Sequence, residues 1–397
     1  MSSKSGRPDR QTDETRLIRT GASQDLAART VGPPVQKGST VLLPDAASLY
    51  DETRGLTYGR QGLSAQFALR AALAELEHAR GVTLYPSGVA ALAGALLAVL
   101  KAGDEVLVTD AIYKPTRRFG GHFLKRFGVT VRYFHPRQSP EELVGEASDA
   151  VRLILMESPG SLSFEMQDLG RVAALAKGRG ILTAVDNTWG AGYLLRPLDH
   201  GVDISIQALT KYVAGHSDVF MGSAAVSDPK LLRALENGAM DLGSAVTGED
   251  AYQVLRGLRT LPTRLARHGE SGLAVAAWLA ARPEVAQVYH PALPGAPDHE
   301  LWQRDYSGAC GLFAFALRPA PEAAVNAFLD ALSLFGLGFS WGGFESLAIS
   351  CDRQLKVRNW RKDYGGPLIR LHIGLEDPAD LIADLAHGLE AYSGHRA

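Results

Sequence analysis

The sequence predicts an α/β protein with a mostly parallel central sheet, preceded by an extended N-terminal arm and followed by a smaller C-terminal α/β domain. Three observations predict it. Short apolar segments bounded by turn residues recur from Val82 to Ile206, helical periodicities separate several of them, and near Arg256 to Pro262 this alternation gives way to one long helix.

Taken in order, residues 1–62 carry Gly and Pro punctuation (Gly32-Pro33-Pro34, Gly59, Gly62) and little periodicity, the pattern of an arm that embraces a neighbouring subunit. From Ser64, apolar Phe67, Leu69, Leu73 and Leu76 recur at helical spacing behind a Ser start signal, and this helix ends near Gly81. Strand candidates follow at Val82 to Tyr85, Glu105 to Val108, Val129 to Phe134, Leu153 to Met156, Ile181 to Val185 and Ile204 to Ile206, with helices such as Val89 to Lys101 and Arg171 to Lys177 between them. Continuously apolar strands are buried on both faces, which is the signature of a parallel sheet covered by helices. Residues 63–258 are therefore expected to form a cofactor-sized domain. Residues 259–397 form a second one, with a helix over Leu265 to Ala281, strands at Val285 to Val288 and Leu312 to Ala316, a helix over Pro321 to Leu334 and a strand at Leu368 to Ile373.

The 397 residues, 46% hydrophobic and 21% charged, suffice for more than one core. A net charge of −2 leaves no basic excess for a nucleic-acid backbone or an anionic membrane. The first 15 residues lack the apolar core of a signal peptide, and the most apolar stretch, Gly88 to Leu100, is shorter than the ~20 residues that span a bilayer, so a cytoplasmic location is expected. Cys310 and Cys351 are too far apart in sequence for metal-ligand spacing and are expected to be reduced thiols.

The chemistry concentrates in three places. Ser205 to Tyr212 runs a strand into a turn carrying Lys211, which points a lysine into the cleft at the carboxyl end of a sheet. On its own such a lysine is ordinarily a solvated charge. Upstream, the strand Ile181 to Val185 runs into Asp186, where a carboxylate must be paired or face a cleft, and a pyridine nitrogen is one suitable partner; a turn or helix-cap role is the other. Third, Ser87-Gly88 makes a small-residue turn at a helix N-terminus, which offers free N–H groups and the positive end of the helix dipole to a phosphate. Phosphate cradle, ring counter-ion and Schiff-base amine together make a pyridoxal 5'-phosphate (PLP) site.

Here the sequence resembles a known family. Tyr58-Gly59-Arg60, Tyr85 to Gly88, Ala111 to Pro115, Glu157 to Ser161, Asp186 to Trp189, Ser205 to Tyr212, Ser340 to Ser346 and Arg370 to Gly374 are similar to segments of the Cys/Met-metabolism PLP-dependent enzymes, over a range from about Asp13 to the last helix. The resemblance implies the aspartate-aminotransferase-like fold, fold type I. It also implies that Lys211 bonds the cofactor aldehyde and later shuttles a proton, that Asp186 pairs with the ring nitrogen and that Tyr113 stacks on the ring. Ser87, Gly88 and Thr210 would hold the phosphate, joined by Tyr58 and Arg60 from a neighbouring subunit of a homotetramer, a dimer of dimers with shared sites. Arg370 would bind the substrate carboxylate, helped by Ser340, with Trp341 lining the pocket.

Where the family's γ-acting members carry an Asn after Glu-Ser-Pro and a Leu before Gly-Gly, this chain has Ser161 and Trp341, which points to the bacterial β-lyase branch. The implied reaction is β-elimination of an amino-acid thioether: L-cystathionine to homocysteine, pyruvate and ammonia in methionine biosynthesis, with cysteine and cystine as further candidate substrates. Phe339, where the family suggests Tyr, and Ser87, where Cys is frequent, are departures that bear on substrate choice. The alternatives are a γ-lyase, a γ-synthase or a specialised-metabolite eliminase sharing these residues, and a catalytically silent cofactor-binding regulator, against which Lys211 speaks. His216 and His372 read as structural histidines beside strands, Tyr113 and Trp341 without the resemblance read as packing residues, and the sequence offers no ligand cluster for a metal.

Overall fold

The computed structural model describes residues 12–20, 30–51, 55–360 and 363–395; the parts of the expected arm at 1–11, 21–29 and 52–54 lie outside the described residues. One described piece of that segment, the helix Asp13–Arg19, rests on its own subunit, burying Leu17 and pairing Asp13 with Arg196 at 2.6 Å and Arg16 with Glu75 at 3.1 Å.

The larger sheet has seven strands: β1 Gly81–Tyr85, β2 Glu105–Thr109, β3 Thr130–Phe134, β4 Val151–Glu157, β5 Leu182–Asp186, β6 Ile204–Gln207 and β7 Gly222–Val226, in spatial order β1-β7-β6-β5-β4-β2-β3. Only β7 runs antiparallel to its neighbours, β1 and β6; the other adjacent pairs are parallel. Side chains alternate across the sheet, as the pleat requires. In β4, Leu153 and Leu155 join the core on one face and Ile154 and Met156 the core on the other. This two-sided burial is why the strands read as continuous apolar runs.

Strand β7 was not expected from the sequence, and its composition explains why. Gly-Ser-Ala-Ala-Val has almost none of the β-branched or aromatic residues that mark strands, yet all five residues are buried under the helix Gly88–Val99. The boundary of β5 also moves: it ends on Asp186 rather than before it, because Asp186 still pairs in the ladder with Glu157 and Ile206.

A second, five-stranded sheet comprises β8 Val285–Tyr289, β9 Leu312–Leu317, β10 Gly336–Leu337, β11 Leu347–Ser350 and β12 Leu368–His372, in order β10-β11-β12-β9-β8. It is antiparallel except between β10 and β11. Helices Leu261–Ala280, Glu322–Asp330 and Pro378–Gly394 cover it around a core that includes Phe313, Phe315, Phe328 and Tyr392. The long helix starts four residues earlier than its periodicity suggests, since Pro262 is tolerated in a first helical turn. The helix expected over Pro321 to Leu334 is shorter, with Pro321 as its N-cap and Asp330 its last residue.

Candidate active site

Glu157, Asp186 and Gln207 end three adjacent parallel strands, and beyond those carboxyl ends lies a cavity of about 250 Å³. It is lined by Ser87, Gly88, Tyr113, Asp186, Thr210, Lys211, Trp341 and Arg370, all singled out from the sequence, and it shares Tyr113, Ser161, Leu162, Trp341 and Arg370 with an outer vestibule of about 740 Å³.

The helix Gly88–Val99 aims its N-terminus at this cavity. Ser87 caps it, its hydroxyl accepting from the Ala90 N–H at 3.1 Å, which leaves other first-turn N–H groups for an anion. Gly88 is dictated by packing: a Cβ there would lie 2.5 Å from the Cβ of Ala208. Thr210 is fixed opposite, its Oγ1 accepting from the Met221 N–H at 3.0 Å.

At the end of β5, Asp186 Oδ1 accepts from the Thr188 N–H at 3.1 Å and the Thr188 hydroxyl at 2.5 Å, and that hydroxyl oxygen accepts from the Ala208 N–H at 2.9 Å. Asp186 Oδ2 makes no hydrogen bond to any described residue. Desolvation raises the Asp186 carboxyl above the ordinary range, opposed by its Thr188 bonds and by Lys211.

Lys211 donates from Nζ to Ser340 Oγ at 2.8 Å and lies 5.5 Å from the Trp341 ring. Desolvation, reinforced by the positive charge of Arg370 and opposed by Asp186, lowers its pKa to about 8. A lysine so placed is a competent nucleophile and base near neutral pH. Desolvation raises the Tyr113 phenol above its usual value, so it stays protonated in the cleft.

Arg370 and His372 occupy alternate positions of β12 and therefore one face of it. Together they grip the loop that carries Ser340 and Trp341. Arg370 Nη2 donates to the carbonyls of Phe339 at 3.1 Å and Ser340 at 3.0 Å, while His372 Nε2 accepts from the Gly342 N–H at 3.1 Å. Gly342 has φ +84°, and a Cβ there would sit 2.7 Å from the Tyr212 nitrogen, so only glycine lets the loop close on the lysine turn. Arg370 is 7% exposed and its Nε has no partner among the described residues. An orphaned donor on a buried cation is costly unless an anion completes it, and a carboxylate has the charge and geometry to do so.

His216 and His372 are both bonded to backbone groups, His216 Nδ1 to the Ala214 carbonyl at 2.6 Å. Tyr58 and Arg60 do not reach the cavity of their own chain. Tyr58 is 47% exposed and bridges to Thr40, and Arg60 hydrogen-bonds the Met240 carbonyl.

Sequence reading passed over two features of the site. Glu157 ends β4 in the cavity wall and accepts from the Tyr113 N–H at 2.7 Å; its place beside Asp186 emerges only once β4 and β5 are paired. Leu162 and Phe164 line the wall with φ of +70° and +58°, conformations that non-glycine side chains adopt at a cost and that no local sequence signal announces.

A lysine made basic near neutrality, facing an anion cradle on one side and an unsatisfied arginine on the other, defines an amino-acid-transforming enzyme with an anionic carbonyl cofactor. The chain belongs to the Cys/Met metabolism PLP-dependent enzyme family, whose sequence model matches residues 14–390. It is 42% identical to the cystathionine beta-lyase of Bordetella avium, over 92% of this chain and 93% of that one, and 40% identical to cystathionine beta-lyase MetC of Escherichia coli K12, over 94% and 97%. The crystal structure of metB from Corynebacterium glutamicum superposes with a TM-score of 0.89 at 29% identity, covering 96% of this chain and 98% of that one. The fold is therefore fold type I, and the cofactor is pyridoxal 5'-phosphate. The donor set fits it: the capped helix N-terminus for phosphate, the free Oδ2 of Asp186 for a protonated ring nitrogen and Lys211 for the aldehyde. Among the described residues no group of three potential metal ligands occurs, and no helix is long and apolar enough to cross a membrane.

Proposed function

We propose that the enzyme cleaves the Cβ–S bond of L-cystathionine, giving homocysteine, pyruvate and ammonia with uptake of one water. The observation that carries this reading is the placement of Lys211 between the orphaned Arg370 Nε and Asp186, which suits removal of the α-proton from an amino acid held by its carboxylate. The likeness to the Bordetella and Escherichia cystathionine beta-lyases, together with Ser161 and Trp341 in the cavity wall, favours β- over γ-elimination.

In this reading the carboxylate completes Arg370, with Ser340 beside it and Trp341 closing the pocket. Lys211, neutral above pH 8, takes the α-proton. When bound, PLP supplies an electron sink for the pair left on the α-carbon, and Asp186 keeps its ring nitrogen charged. Lys211 or the Tyr113 phenol returns a proton to the departing sulfur. Ser87, Gly88 and Thr210 hold the phosphate, and Tyr113 covers the ring.

Tyr58 and Arg60 complete the phosphate site of a neighbouring subunit in a homotetramer. Supporting this are their distance from their own cavity and the apolar surface at Leu42, Tyr50, Phe220 and Leu242, each more than half exposed in the single chain. Residues 1–62, 63–258 and 259–397 act as arm, cofactor domain and C-terminal domain. A cytoplasmic site suits the two free, buried cysteines.

The test is to incubate the yellow holoenzyme with L-cystathionine and identify the keto acid by mass. Pyruvate with homocysteine is expected; 2-oxobutyrate with cysteine would move the enzyme to the γ-lyases. Co-expressing Arg60→Ala and Lys211→Ala chains should restore activity that neither homo-oligomer has, and failure to do so sinks the shared site.

A further inference from the structure

Two carboxyl groups end adjacent strands in the cavity wall, and the reaction proposed above uses only one. Glu157 and Asp186 are register partners across the parallel β4–β5 ladder, so their side chains leave the sheet on one face, and both line the cavity. None of the cations around them pairs with Glu157. Lys211 faces Asp186, and Arg370 Nη2 is bound to the Phe339 and Ser340 carbonyls. Arg358, behind Glu157, donates to Ser163 Oγ at 2.6 Å and to the Ser161 carbonyl and makes its ion pair with Glu165 at 3.7 Å. Glu157 has no cation of its own within 4.0 Å among the described residues. What it has is a short contact of 2.5 Å with Ser161 Oγ and the Tyr113 N–H at 2.7 Å.

We propose that Glu157 is a positioning residue that works as the neutral acid: it fixes the Tyr113 main chain and the Ser161 hydroxyl beside the cofactor and leaves Asp186 the single negative charge for the ring nitrogen. The carbonyl oxygen of the acid accepts from the Tyr113 N–H, and its hydroxyl oxygen accepts from the Ser161 hydroxyl. Two ionised carboxylates on neighbouring strand ends, with one facing cation, repel each other in a desolvated wall, and only one stays charged. Desolvation first, then Asp186, hold the Glu157 carboxyl well above its ordinary value, while Ser161, the Tyr113 N–H and Arg358 act the other way.

The inference rests on the PLP reading of the site, and the test separates the two. PLP attached to Lys211 gives a visible absorbance band whose pH midpoint reports nearby charge. In wild type, Glu157→Gln and Glu157→Ala holoenzymes, that midpoint, the visible circular dichroism and the PLP Kd would be measured. An uncharged Gln replaces an uncharged acid, so Glu157→Gln should keep the midpoint within about 0.3 pH unit and the Kd within about threefold. Glu157→Ala removes the acceptor for the Tyr113 N–H and should weaken PLP about tenfold and change the dichroism. A midpoint lowered by about one unit or more in Glu157→Gln would show that a real negative charge had been removed from beside a protonated imine, overturning the proposal. Unchanged Kd and dichroism in Glu157→Ala would overturn the positioning role. A wild-type protein that takes up no PLP overturns the cofactor reading itself, and the inference with it.

Discussion

The two walls of the cleft hold their functional groups by different means. On the wall of the seven-stranded sheet, Glu157 and Asp186 are placed by strand register, and Thr188 links the end of β5 to the turn that carries Lys211. On the opposite wall, Ser340 and Trp341 ride on a loop held by two side chains of β12, Arg370 through carbonyls and His372 through an N–H. A group fixed by register keeps its place when its side chain changes. A group fixed by someone else's side chain does not. Substitutions on the first wall should therefore alter chemistry at constant geometry, and those on the second should alter geometry and substrate binding together.

The sharpest case on the first wall is Lys211→Ala. In the proposed reaction it removes both the attachment point and the base, so the rate of keto-acid formation should fall about 10⁴-fold or more. The turn is held by main-chain bonds, Lys211 N–H to the Ala208 carbonyl at 3.1 Å among them, so the thermal unfolding midpoint of the variant should not fall below that of wild type. A variant that unfolds on losing the lysine would erase the contrast between the walls.

On the second wall, Arg370→Lys keeps the charge and loses the fork. The ammonium is a single-point donor without the planar fork that lets one guanidinium hold two carbonyls from Nη2 and aim Nε elsewhere, so kcat/KM for L-cystathionine should drop by about two orders of magnitude, chiefly through KM. The near-ultraviolet circular dichroism of Trp341 should change with it, because the loop is released. An unchanged KM would mean that the carboxylate is held elsewhere.

How far these walls were legible in the sequence follows the same division. Asp186, Lys211 and Gly88 stand in local patterns, a strand end, a strand-to-turn lysine and a small-residue helix start, each with a physical meaning read from a few neighbours. Residues of the second wall, Arg370, Ser340 and Trp341, carried no such signal and entered only through resemblance to a family. Their roles depend on two segments about 30 residues apart in the chain that meet only when β12 has formed. Glu157 fell between: its motif was visible, but its meaning lies in a ladder partner that periodicity cannot register. Strand β7 was hidden by its small residues, and Tyr58 and Arg60 stay away from the cavity of their own chain.

Cofactor-free protein sharpens the first wall through pH. Lys211 has its folded pKa lowered to about 8 from the ordinary 10.5 of a lysine, so the unfolded chain holds the proton more tightly. Burying the ammonium thus costs stability in full below about pH 8, and the cost fades as pH rises towards the unfolded value. Lys211→Met should raise the urea midpoint of the apoprotein at pH 7, at fixed protein concentration, by an amount equivalent to about 1–3 kcal/mol. The advantage should vanish above about pH 10.5. If the variant is no more stable than wild type at pH 7, the lysine is not desolvated as described.

The smallest effect falls on Ser340→Ala, and it discriminates most finely. The serine hydroxyl accepts from Lys211, but the bond from Arg370 goes to the Ser340 carbonyl, which the substitution leaves in place. One lost hydrogen bond to the base is worth about 0.5–1.5 kcal/mol, a roughly two- to twelvefold fall in kcat. KM should change by less than about twofold, since the carboxylate is held chiefly by Arg370, and the loop backbone and Arg370 stay where they were. A KM that rises in step with the fall in kcat would show that the hydroxyl also anchors the loop. The second wall would then be held from both sides of the cleft, by Lys211 as well as by β12, and the distinction between a register-fixed wall and a side-chain-fixed wall would give way to a single network centred on the lysine.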